Sequence, residues 1–151
     1  MKKINKITVL LVAAVSLTAA VLTTSCQKDE LVVEPSQLYG TWYFPLNMQP
    51  DTLTGFNWAG AVMTIKAPDT LLVSTEFGKT FRWTLRDNSV TATCTPRANV
   101  DEHWVIAFTI HEAEAKKMKI TGKYRYLYNG DNTPKYDISC TLSKTPPAAG
   151  K

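Results

Sequence analysis

The chain has 151 residues, with 17 lysines and arginines against 13 aspartates and glutamates. Lys2, Lys3 and Lys6 account for most of the excess, so the chain beyond them is close to neutral and lacks the clustered basic surface that nucleic acid binding requires. Its length fits one domain with a sizeable core.

The first element in chain order is "MKKINKITVLLVAAVSLTAAVLTTSC". Ile7 to Leu22 carry only apolar side chains, Ser and Thr, a run shorter than the roughly 20 residues of a membrane-spanning helix. A basic start, a short apolar core and small residues at the cut read as a secretory signal peptide over residues 1–25. "TTSC" resembles the end of a bacterial lipoprotein signal, with Thr23 where that pattern carries an aliphatic residue; cleavage after Ala20 is the rival reading. The resemblance implies that Cys26 is lipidated and carries several acyl chains of the palmitate type. Each buried CH₂ of such chains contributes about 0.8 kcal/mol to anchoring. The next residues, "QKDE", are similar to the export tag of Bacteroidetes surface lipoproteins. That implies an outer-membrane protein exposed at the cell surface, with a periplasm-facing one as the alternative.

Residues 26–37 read as a tether, because they lack periodicity and Pro35 opposes a regular element. Residues 145–151, with two adjacent prolines, read as a flexible tail. The body between them, 38–144, is dominated by alternation of period two, the signature of half-buried strands. Strands are predicted at "GTWYF", "AVMTIKA", "TLLVST", "KTFRWTLR", "NSVTATCT", "HWVIAFTIH", "KKMKITGKYRYLY" and "KYDISCTL". Turns are predicted at "APD", "FGK", "RDNS" and "NGDNTP", and "HEAEAKKM" reads as a helical turn. So many short sequential strands imply an all-β antiparallel barrel or sandwich.

"YGTWYF", with Gly40, Thr41 and Trp42, decides between those two. It resembles the glycine–x–tryptophan signature on the first strand of lipocalins, and the "GTW" opening of lipocalin-like domains in Bacteroidetes lipoproteins. The resemblance implies a single up-and-down barrel of about eight strands, with Trp42 packed across its closed end.

Little in the chain points to catalysis. There is no "GxSxG" elbow and no glycine-rich phosphate loop. His103 and His111 fall on one predicted strand, some 27 Å apart at about 3.4 Å per residue, too far to share a metal ion. No catalytic residue, metal or cofactor is therefore expected. The aromatic residues are the better lead. Trp83, Trp104, Tyr124 and Tyr126 are predicted to face the interior, where buried tyrosine hydroxyls need hydrogen-bond partners. They are the candidate liners of a site for a small apolar or amphipathic ligand. The alternative is a solid barrel whose outside binds a protein or glycan as an accessory or inhibitor module. Cys94 and Cys140 also face inward, either as a disulfide or as two separate buried thiols. "DTL" occurs twice and resembles a Bacteroidetes O-glycosylation site, which would make Thr52 and Thr70 acceptors.

Overall fold

The computed structural model describes residues 31–52, 55–76, 78–96 and 101–148. The predicted signal peptide, Cys26 and the "QKDE" stretch lie outside the described residues. A single helical turn, α1 (Pro35–Leu38), is followed by eight strands: β1 (Gly40–Tyr43), β2 (Val62–Lys66), β3 (Thr70–Val73), β4 (Phe81–Arg86), β5 (Ser89–Cys94), β6 (Glu102–Ala113), β7 (Lys117–Tyr128) and β8 (Asp131–Ser143). Each strand pairs antiparallel with the next, and β8 meets β1 to close an up-and-down barrel. This is the architecture that the alternation and the "GTW" stretch together imply.

Alternation dictates the register, because a slip of one residue would turn a whole strand inside out. Ile106, Phe108 and Ile110 of β6 are buried, as are Met118, Ile120 and Tyr124 of β7. The pairs Ile106↔Tyr124 and Ile110↔Ile120 bring these inward faces level. Gly122 stands opposite Phe108, where a side chain would run into the backbone of β6.

Two local readings differ from the structure. The "NGDNTP" turn is shorter than predicted: only Asn129 and Gly130 turn, with φ of 47° and 84°, and Asp131 already begins β8. Asn-Gly suits a two-residue turn in which both residues need positive φ. Pro134 is accommodated beside a register shift opposite Tyr124 and Arg125, as proline in a sheet usually is. "HEAEAKKM" forms no helix. It is the end of β6, a tight reversal and the start of β7, because full pairing of two long strands outweighs weak local propensity.

Because successive strands run in opposite directions, alternate connections lie at opposite ends of the barrel. One end is closed by α1. Trp42 is buried, its Nε1 donates to Leu38 O at 2.7 Å, and the Lys144 ammonium lies 4.7 Å from the ring centre. The segment read as a tether up to residue 37 thus begins to pack earlier, with Val33 and Leu38 both buried. Pro35 opens the helical turn rather than preventing it, since the first helical position needs no N–H donor. Glu34 N donates to Gln37 Oε1 at 2.8 Å and completes that turn.

Candidate functional site

The opposite end carries the connections β1–β2, β3–β4, β5–β6 and β7–β8. Three of the four predicted liners meet there. Trp104 stands directly across from Tyr126, with ring centres 4.3 Å apart, and stacks on Tyr124 at 5.6 Å. Trp104 and Tyr126 are half-buried and Tyr124 is fully buried. Trp83 does not join them. It packs edge-on against Tyr39 at 6.1 Å and donates from Nε1 to Lys66 O at 3.3 Å, beside the segment that leads into β1. All four side chains face inward as the alternation requires, but the barrel divides them between its two ends.

Two rings absent from the predicted set complete the cluster. The β1–β2 connection lays Phe56 and Trp58 into the barrel, where Phe56 stacks on Tyr124 at 5.3 Å and Trp58 lies 5.2 Å from the same ring. "GFNWAG" has no periodicity to reveal this; the only signal was a tryptophan and a phenylalanine together in a loop, where exposure would be costly.

The site has a charged wall. Glu76, in the β3–β4 connection, is only 4% exposed and pairs with Lys79 at 2.6 Å. The Lys79 ammonium lies 4.4 Å from the centre of the Trp104 ring, within cation–π range. At the rim the Tyr126 hydroxyl donates to Glu102 Oε1 at 3.2 Å. Beneath this wall lie two buried donors: Trp58 Nε1, which has no acceptor, and the Tyr124 hydroxyl, which makes no hydrogen bond of good geometry but faces the Glu76 carboxylate. Burial, reinforced by hydrogen bonding to the Glu76 carboxylate and by its negative charge, pushes the Tyr124 pKa above the ordinary phenol range. An unsatisfied buried donor costs about 1–3 kcal/mol, and Trp58 Nε1 is one that this end of the barrel leaves without an acceptor.

The cysteines stand apart, Cys94 buried and Cys140 half-buried. Both are free thiols. They lie on β5 and β8, three strands apart around the barrel. At about 4.8 Å per strand step no register brings their backbones within the roughly 7 Å that a disulfide tolerates. The disulfide reading is therefore corrected: sharing an inward face says nothing about sharing a wall. Burial raises the Cys94 thiol and pushes Cys140 from 9.0 up to about 12.

These groups are neutral when protonated, and the fold holds their protons more tightly than the unfolded chain does. Their stabilisation is complete below the ordinary values of 9.0 for Cys140 and 10.0 for Tyr124 and is lost as pH rises through the folded-state values. The urea midpoint is expected to stay level up to about pH 8.5 and to fall from about pH 9 to 12. Cys140→Ala should remove part of that slope. A wild-type midpoint insensitive to alkali would contradict the burial of these groups.

The other predicted positions are spread over the surface. His103 and His111 both lie on β6. His103 bonds to Asp101 at 3.0 Å and to Thr95 at 2.9 Å, while His111 bonds to Thr121 at 2.6 Å. Among the described residues no group of three or more histidine, cysteine or acidic side chains is arranged to hold a metal ion. Thr52 is exposed in the β1–β2 connection and Thr70 is half-buried at the start of β3. Comparisons with family models, with curated proteins and with solved structures return no match to this chain.

Proposed function

We propose that this barrel is a non-catalytic binding protein of lipocalin-like type that takes a small amphipathic ligand at the end opposite α1. In this reading it is tethered by lipid on Cys26 to the outer membrane and faces the cell exterior. The observation that carries the ligand is Trp58 Nε1, a buried donor with no acceptor, beside the Tyr124 hydroxyl, which faces Glu76. A ligand whose flat apolar part stacks on the half-buried Trp104–Tyr126 wall would bring an acceptor down to them, with the Trp58 ring turning aside. Lys79, held between Glu76 and Trp104, adds a donor whose charge is already balanced by Glu76, so the acceptor need not be charged.

The filled interior favours a second reading. Phe56 and Trp58 pack against Tyr124 and Tyr136, which suits a solid barrel whose rim binds a protein or glycan. One substitution separates the two. Tyr124→Phe removes a buried hydroxyl that makes no hydrogen bond of good geometry, so it should change unfolding stability by no more than about 1 kcal/mol. Under the ligand reading it should also weaken binding of anilinonaphthalene sulfonate, an aromatic anion, by about tenfold, read by fluorescence titration. Trp104→Ala should weaken the same probe at least as much. Unchanged probe affinity in both variants would leave the solid barrel as the better account. Native mass spectrometry of protein from its own host would identify any retained small molecule and report the acyl mass on Cys26.

A further inference from the structure

The barrel closes unevenly. On one side β8 pairs with β7 from Lys117↔Ser143 to Tyr128↔Asp131. On the other side it meets β1 only at Tyr43↔Ser143, because β1 is four residues long. Beyond Tyr43 the chain follows β2 rather than β8: Phe44 N donates to Ala61 O at 2.9 Å and Gly60 N to Pro45 O at 3.2 Å. The edge of β8 above Ser143 is therefore paired with no described strand.

That edge is one wall of a slot. A groove of about 530 Å³ runs between Asp137, Ser139, Cys140 and Thr141 of β8 and the segment that includes Asn47 and Gln49. The Tyr136 hydroxyl donates to Gln49 O at 2.8 Å and pins the far wall in place. Alternate residues of an antiparallel strand turn their N–H and C=O groups away from their partner, so this edge of β8, unpaired among the described residues, offers a repeating backbone template. The five residues Asp137–Thr141 span about 17 Å of such template.

We propose that this slot binds one extended segment of a partner protein, which adds to the barrel as a strand alongside β8. Backbone hydrogen bonds supply the recognition, as in other cases of strand addition, and the slot sets the side-chain preference. Asn47, Gln49, Ser139 and Thr141 are uncharged, and Asp137 is already engaged by Lys123 at 2.6 Å, so the segment that fits is neutral and rich in small polar and β-branched residues. The second wall excludes the edge of another barrel. A second copy's β8 would bring its own β7 into collision with residues 45–49, whereas a lone strand has nothing on its far side.

The test uses a capped Thr-Val-Thr-Val-Thr-Val hexapeptide and two forms of it N-methylated at alternate residues. Binding of the parent peptide should slow amide exchange at alternate positions within 137–141. One methylated form should lose at least tenfold in affinity while the other keeps it, because only one set of N–H groups faces β8. Ser139→Trp, which fills the slot from an exposed position, should weaken the parent peptide at least tenfold with an unchanged unfolding midpoint. The two methylated peptides decide the question even if that variant folds poorly. The proposal is overturned if the parent peptide shows no saturable binding at millimolar concentration, or if both methylated forms behave alike. It is equally overturned if protection maps elsewhere, or if residues 137–141 are already protected in the free protein and lose that protection on dilution, which would assign the edge to a second copy.

Discussion

Gly122→Val is expected to lower unfolding free energy by about 3 kcal/mol or more, and the variant should be recovered poorly in soluble form. A Cβ at this position would clash with Ala107 O and would lie 2.6 Å from both Cα and Cβ of Phe108. The oxygen and Cα belong to the backbone of β6, so no rotamer change relieves the contact. Relief requires β6 and β7 to separate in the middle of a ladder that runs from Glu102↔Tyr128 to Ala113↔Met118. Gly122→Ala meets the same atoms and should be nearly as damaging. Lys119→Ala, on the outer face of the same strand in an exposed ion pair with Glu112, should cost less than about 0.5 kcal/mol. Urea unfolding of the three variants against the parent is the measurement. A loss below about 1 kcal/mol for Gly122→Val would mean that the two strands do not approach this closely.

Trp42→Ala should cost about 3–5 kcal/mol, the usual range for truncating a buried large aromatic. The indole closes the α1 end of the barrel, being only 1% exposed, and it holds the preceding segment through its bond to Leu38 O. Its loss should therefore have a local signature as well as a global one: amide exchange across residues 31–38 should accelerate even under conditions where β6 and β7 remain protected. Trp42→Phe keeps a ring but strands the Leu38 carbonyl, so an intermediate loss of about 1–3 kcal/mol is expected. If exchange at residues 31–38 in Trp42→Ala simply follows global unfolding, the tryptophan is not what ties that segment down.

The weight of these two positions was legible at different depths. Trp42 stood out because a glycine-led tryptophan on the first strand resembles a known closure. Gly122 showed only as a gap in an otherwise aromatic and aliphatic face; that the gap admits the backbone of β6 depends on which strand lies opposite. The turn at Asp87, where φ is 54°, agrees with "RDNS" because Asp tolerates that conformation locally. The "NGDNTP" turn was misjudged in length because proline and polar residues look like a loop until a neighbouring strand offers them a register.

From its order of residues alone this chain determined its strands, their inward and outward faces and therefore an antiparallel all-β fold. Those properties arise between residues one or two apart, where the pleat of a strand and the cost of exposing apolar side chains act directly. Tertiary structure alone decided that Trp83 parts from Trp104, Tyr124 and Tyr126, and that Cys94 and Cys140 stand on separate walls. It also decided that Phe56 and Trp58 enter the barrel, that Glu76 and Lys79 face Trp104, and that a short β1 leaves the edge of β8 unpaired among the described residues. Each of these depends on closing the sheet into a ring, which brings together side chains from strands and loops far apart in the chain and has no counterpart in local periodicity.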